Sequence, residues 1–350
     1  MSDPLVVLDA DVLGRQRTGD ETYVSALLRE LAGTPGLRLA AVTRRPDLVP
    51  EGIEPIELPV HSQIWRMAAS MPRLLRRLRP DLVHFQHALP LRCPCPAVVT
   101  VHDLSFERNP SLMSPRDRLV FRAAVPRAAR KAARVLAVSE RTKRDLIELY
   151  GLPDDRIVVT PNGVDPAFTP HGPSPNGKPY ALVVGTLQSR KDPDAAIEAL
   201  ALLDDSDLRL VFAGPDKGGR ARAERTAERA GLAARVEFRG HVPQQELAAL
   251  YRGAACLVFP SRYEGFGLPA LEAMASGTPV VATRAGAIPE VTGDAAILVD
   301  DRNPAALAGA IERALADRER LVAAGLARAA EFSWAETARR TLAVYRELLA

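Results

Sequence analysis

Short runs of apolar residues alternate along this chain with longer segments in which apolar positions recur every three or four residues. The short runs read as strands buried on both faces and the longer segments as amphipathic helices. Their regular alternation predicts parallel sheets covered by helices on both sides. In the first half, strands are expected at 5–8, 37–42, 56–60, 81–85, 97–101, 135–138 and 157–159. A helix over 21–31 gathers Tyr23, Val24, Leu27, Leu28 and Leu31 on one face. A second, over 64–78, repeats Ile64, Met67, Ala68, Met71, Leu75 and Leu78. The rhythm breaks where Pro161, Pro166, Pro170, Pro173, Pro175 and Pro179 fall among glycine and asparagine, then resumes with strands at 180–184, 208–212, 236–238, 256–259, 280–282 and 296–299.

The proline-rich stretch reads as a linker. It divides the chain into a first domain over 1–165, a linker over 166–179 and a second domain over 180–333, with 334–350 left as a final helix. Two such halves predict an α/β protein of two Rossmann-like domains facing a central cleft. Ligands are then expected at the carboxyl ends of the strands. Its 350 residues are enough for two cores of ordinary size.

The most informative motif follows the run Ala255 to Phe259. Glu264-Gly265-Phe266-Gly267 makes a turn, and a helix opens at Leu268-Pro269, with proline where its missing N–H costs nothing. Unpaired amides at such a helix start favour an anion. Glu264 in the loop and Glu272 about one turn into the helix can face one site, and carboxylates accept hydrogen bonds from vicinal hydroxyls. Gly265-x-Gly267-x-x-Ala270 also matches a dinucleotide fingerprint, which suggests an NAD(P)-dependent oxidoreductase. Against that reading, the next strand ends in Thr283-Arg284 and not in an acid, and the motif lies far down the chain. A third reading is structural: the glycines only let helix and sheet pack closely.

Arg190-Lys191 follows the run Leu182 to Val184 and suits the charge that collects on a departing diphosphate; the bland alternative is a solvated pair. His102 follows the apolar run 97–101 and can donate to a sugar hydroxyl or act as a base, with His84 and His87 as competitors. Thr18-Gly19-Asp20 precedes the first helix. Gly19 would let a phosphate approach the backbone, whereas Asp20 could be a plain N-cap.

Together these motifs resemble the retaining GT-B glycosyltransferases of family four, the glycosyl transferases of group 1. The match runs in order through Gly19-x-x-x-Tyr23, His102-Asp103, Ala137 to Glu140, Pro161 to Asp165, Gly185 through Arg190-Lys191, and Phe238-x-Gly240-x-Val242. It ends in the two glutamates eight positions apart, Glu264 and Glu272. The resemblance implies that Arg190 and Lys191 bind the diphosphate of a nucleotide sugar and that Glu272 binds the ribose. Glu264 and the amides of Gly265, Phe266, Gly267 and Leu268 would hold the sugar and a phosphate oxygen, His102 would contact the sugar, and the backbone near Val242 would receive the base. It also implies hexose transfer with retained configuration, without metal or other cofactor, and a last helix that packs back on the first domain. The donor would be GDP-mannose or a UDP-hexose and the acceptor a glycan or a lipid-linked saccharide, as in polysaccharide biosynthesis. Two departures stand out: many relatives carry a double glycine where this chain has Thr18-Gly19, and some place an arginine at Thr186. A protein that binds a nucleotide sugar without transferring it remains the alternative.

Charge and cysteine content refine the setting. The chain is net +3, yet between His61 and Arg134 fourteen basic residues face four acidic ones. The predicted helix 64–78 sets Trp65 beside Arg66, Arg73, Arg76 and Arg77. This is either a solvated face or a peripheral contact with anionic lipid at the inner leaflet. Aromatic residues make up 5% and do not interleave with the arginines, which argues against nucleic acid. No apolar run approaches the roughly 20 residues of a membrane span. The first strand follows Met1 too closely for a signal peptide, so a cytoplasmic protein is expected. Cys93, Cys95 and Cys256 fit a reducing compartment, and Cys93-Pro94-Cys95 lacks the spacing of a zinc site.

Overall fold

The computed structural model describes residues 3–15, 18–175, 177–300 and 302–350. The chain divides into two compact units, one formed by Met1–Gly163 with Trp334–Ala350 and the other by Val164–Ser333.

The first unit is built on a parallel sheet of seven strands: β1 (Leu5–Asp9), β2 (Arg38–Thr43), β3 (Glu54–Glu57), β4 (Leu82–Gln86), β5 (Ala97–Val101), β6 (Arg134–Ala137) and β7 (Ile157–Val159). Their order across the sheet is β3-β2-β1-β4-β5-β6-β7. The continuous apolar runs exist because helices cover both faces: Val7, Val83, Val99 and Val135 belong to one buried cluster with Met71, Leu75 and Val125. β3 lies two residues before its expected position, as an edge strand whose Ile56 pairs with Val42. Leu58 continues the run only through its amide, which donates to Thr43.

The second unit holds six parallel strands, β8 (Tyr180–Val184), β9 (Arg209–Ala213), β10 (Val236–Phe238), β11 (Cys256–Phe259), β12 (Val280–Thr283) and β13 (Ala296–Val299), in the order β10-β9-β8-β11-β12-β13. Strand order reverses between β1 and β4 in one sheet and between β8 and β11 in the other. The loops leaving these strands therefore border the switch points where such sheets take ligands. The linker residues 166–179, apart from Asn176 outside the described residues, belong to this unit. Phe168 meets the Tyr251 ring edge-on at 5.7 Å, and Arg252 donates to the Pro173 carbonyl.

The helix expected over 64–78 is interrupted. A short turn at Gln63–Trp65 passes into a π-helical turn at Arg66–Ser70 and then into the α-helix Met71–Leu78. Pro72 lacks the N–H that would bond back into this region, and a wider turn absorbs the loss. The extra residue rotates the earlier face. Met71 and Leu75 remain buried, whereas Ile64 is 72% exposed and Trp65 59%. Arg66, expected on the solvated basic face, is instead completely buried and grips Asp9 through both terminal nitrogens at 2.6 and 3.0 Å.

The last helix, Trp334–Leu349, belongs to the first unit. Its Tyr345 hydroxyl meets His84 Nδ1 at 2.6 Å in the core, and Thr337 donates to the Pro161 carbonyl. Among the described residues no helix is long and apolar enough to cross a membrane.

Candidate functional site

In the second unit the loops after β8 and β11 meet. Lys191 Nζ lies 2.6 Å from Glu264 Oε1, and Arg190 Nη1 lies 3.5 Å from Oε2 while donating to the Tyr263 carbonyl at 2.8 Å. The backbone joins the same loops, since Arg262 N–H donates to the Arg190 carbonyl. Glu264 is buried; burial alone would raise its pKa, but the charges of Lys191 and Arg190 outweigh it and hold the carboxyl below its ordinary range. Lys191 also stands 4.9 Å above the Phe259 ring.

The turn carrying the two cations is itself braced. Asp192 adopts a left-handed conformation, φ 49°, and its buried carboxylate accepts from Arg262 at 3.1 Å and Arg302 at 2.5 Å. The glycines beyond Glu264 serve geometry. Gly267 has φ 105°, and a Cβ there would lie 2.4 Å from the Ile288 side chain; one at Gly286 would lie 2.0 Å from the Glu264 carbonyl. The helix Leu268–Ala275 begins directly after this turn, so the amides of Gly265 to Leu268 form its N-terminal edge. Phe266 is buried, its ring edge-on to Phe332 with centroids 5.8 Å apart.

Glu272 is set apart from the ion pair by its partner. Tyr251 donates to Oε2 at 2.8 Å. Burial pushes the Glu272 pKa up to about 7; the tyrosine hydrogen bond and Lys191 pull it down, and Asp165 adds repulsion. A carboxyl so poised exchanges its proton near neutrality. Val242 is buried in the loop between β10 and the helix Gln244–Gly253, at the same sheet end but two strands from β8.

In the first unit, His102 follows β5. Its Nε2 donates to Gln86 Oε1 at 2.9 Å, and the Tyr23 ring packs edge-on at 4.8 Å. Burial depresses its pKa to about 4, against the charge of Asp20 which raises it, so the ring is neutral at pH 7. Of its competitors, His84 is a core group held between Tyr345 and Thr100, and His87 lies beside His102 with ring centroids 5.0 Å apart. Gly19 is exposed and a Cβ there would touch nothing within 4 Å. Asp20 is not a cap, because the helix already starts at Thr18 and Asp20 lies inside its first turn. Gln86, Tyr251, Asp192, Arg262 and Arg302 escaped the sequence reading. Only Asp192 carried a local signal, standing between the cations and Pro193.

The family model described as Glycosyl transferases group 1 matches residues 166–328, and that described as Glycosyltransferase Family 4 matches 17–168. A D-inositol 3-phosphate glycosyltransferase of Acidothermus cellulolyticus is 34% identical over 94% of this chain and 82% of its own. The chain belongs to the family-four glycosyltransferases. An O-antigen chain mannosyltransferase B of Escherichia coli is 33% identical over 72% of this chain and 70% of its own. Among solved structures, sucrose-phosphate synthase from Thermosynechococcus elongatus superposes with TM-score 0.80 at 23% identity, covering 99% of both chains. Anabaena HepE in complex with UDP and glucose does so with TM-score 0.78 at 17% identity, covering 98% of this chain and all of that one. These neighbours show the GT-B fold. Family membership removes the oxidoreductase reading of Gly265-x-Gly267, and the same glycines are accounted for by the turn they make.

Proposed function

We propose that this glycosyltransferase moves a hexose from a nucleoside-diphosphate sugar to an acceptor hydroxyl with retention of anomeric configuration. Arg190 and Lys191 hold the diphosphate and take up the charge that develops as the glycosidic bond breaks, so the step calls for no divalent metal. Glu264 and the amides from Gly265 to Leu268 hold the sugar and a phosphate oxygen, Glu272 grips the ribose hydroxyls, and the backbone near Val242 receives the base. His102 meets a sugar hydroxyl, with Gly19 near a phosphate. The observation that carries this reading is the cluster of Arg190, Lys191 and Glu264 at the β8/β11 switch point.

A relative described as a mannosyltransferase, together with a fold neighbour solved with UDP and glucose, supports GDP-mannose or a UDP-hexose as donor. The O-antigen chain named for the mannosyltransferase supports a glycan acceptor, and a lipid-linked saccharide belongs to the same proposal. The test is release of nucleoside diphosphate from a donor panel in EDTA, with the acceptor present. Lys191→Ala and Glu264→Gln should each lower kcat/KM about 100-fold or more. Full activity in either variant refutes the assignment, and donor binding without turnover by the wild type would mark a non-catalytic nucleotide-sugar-binding protein.

The same reading includes peripheral contact of the first unit with anionic membrane at the cytoplasmic face. Ile64, Trp65, Leu91 and Leu119 are all at least 59% exposed, and Arg73, Arg76 and Arg77 are exposed on the adjoining helix. Solvent exposure of a tryptophan and three aliphatic side chains among arginines favours an interfacial role.

A further inference from the structure

We propose that Asp20, His87 and His102 form a binding site for one divalent transition-metal ion of the zinc type. One donor atom from each of the three residues lies within 4.8 Å of the other two. They come from three separate elements: the first turn of the helix Thr18–Leu31 after β1, the residue after β4, and the residue after β5. β1, β4 and β5 are neighbours in the sheet, so the fold and not the sequence spacing gathers them.

The details around each histidine favour ligation. Gln86 Oε1 can only accept, so His102 carries its hydrogen on Nε2 and keeps a lone pair on Nδ1. An outer partner of this kind fixes the tautomer of a metal-bound imidazole. His87 holds a left-handed backbone, φ 58°, pinned by donation of its N–H to the Thr100 carbonyl at 2.9 Å. Strain at a residue other than glycine clusters at functional positions. The His87 Nδ1 atom is buried with no hydrogen-bond partner among the described residues.

Two imidazoles and a carboxylate suit Zn2+, Co2+ or Ni2+, whereas Mg2+ and Ca2+ prefer oxygen throughout. Bonds of about 2.0–2.1 Å in a tetrahedral site put donors roughly 3.4 Å apart, so an ion would draw the three donor atoms together. Three protein ligands leave the fourth position open. If His102 meets the sugar as proposed above, an ion bound there takes that contact away and inhibits transfer; the binding itself does not depend on that reading.

The experiment titrates the full chain with Zn2+ against a chromogenic chelator and with Co2+ by its visible absorption. One equivalent should bind, with a tetrahedral Co2+ spectrum. Gln86→Ala should weaken zinc about 10- to 100-fold. His87→Asn, chosen because asparagine tolerates the left-handed backbone, should weaken it more, and Asp20→Asn likewise. Metal-free melting temperatures equal to wild type certify that these variants are folded. No saturable binding, or zinc affinity unchanged in both His87→Asn and Asp20→Asn, overturns the proposal. Zinc inhibition of transfer that His87→Asn relieves ties the ion to His102. Zinc bound through His87 without inhibition upholds the metal site and counts against the sugar contact.

Discussion

At Glu272, burial opposes ionisation while Tyr251 and Lys191 support it, and the balance lands near neutral pH. If this carboxylate grips the ribose, it does so best ionised, because a protonated carboxyl loses acceptor capacity. The donor KM should therefore fall as pH rises from 6 to 8, with a midpoint near 7, while Glu272→Gln gives a flat, elevated profile. Tyr251→Phe removes a hydrogen bond that lowers the pKa and should move the midpoint upward; an unmoved midpoint argues against this role for Tyr251. Stability runs the other way. The folded pKa lies above the ordinary 4.5, so the contribution of this group is complete below that value and is lost as pH climbs through about 7. The two glutamates were legible in the sequence because their spacing sets one in the turn and one a helical turn later. Their opposite electrostatic environments were not legible, because Lys191 lies 73 residues from Glu264 and Tyr251 lies 21 from Glu272.

The helix Trp334–Leu349 shows how an element acquires its place. A final helix over 334–350 was expected, but its attachment runs through a buried polar chain: Tyr345 to His84 at 2.6 Å, His84 to Thr100 at 2.7 Å, and Thr100 to Tyr23 at 3.1 Å. No local pattern signals a pair 261 residues apart. Burial lowers the His84 pKa to about 3, so the neutral ring is the folded form. Its stabilising effect is present above the unfolded value of 6.5 and is lost as pH falls toward 3. Tyr345→Phe leaves the His84 Nδ1 without this partner and should cost about 1–3 kcal/mol, read by denaturant unfolding of the full chain at pH 8. A loss under 0.5 kcal/mol, roughly the scatter of surface substitutions, would mean that packing alone seats the helix. The interrupted helix at Arg66–Ser70 teaches the complementary lesson. Pro72 was visible, yet the wide turn before it and the burial of Arg66 onto Asp9, a partner 57 residues away, were not.

For the molecule as a whole, both sheets were legible because buried parallel strands are apolar on both faces and cannot be mistaken for solvent-facing ones. The surface is where sequence period misleads, since a single wide turn exchanges buried for exposed positions. That exchange bears on the proposed membrane contact. Arg66 drops out of the basic face, while Ile64 and Trp65 join the exposed apolar residues. They do not stand alone. The Leu91 amide donates to the Met67 carbonyl, and Arg127, from the helix Pro115–Lys131 that also carries exposed Leu119, donates to the carbonyls of Leu89, Pro90 and Leu91. The segment 89–91 thus ties the two basic helices into one surface of the first unit. Apolar side chains inserted among lipid headgroups and arginines attracted to anionic lipid add to each other, and only the second contribution is screened by salt. The full chain should therefore cosediment with vesicles containing anionic lipid at low salt and partly dissociate at high salt. Trp65→Ala with Leu119→Ala should abolish the salt-resistant fraction, whereas Arg73→Glu with Arg76→Glu and Arg77→Glu should abolish binding at low salt. Equal binding to neutral and anionic vesicles, or retention by both sets of variants, would remove the membrane from the function proposed for this surface.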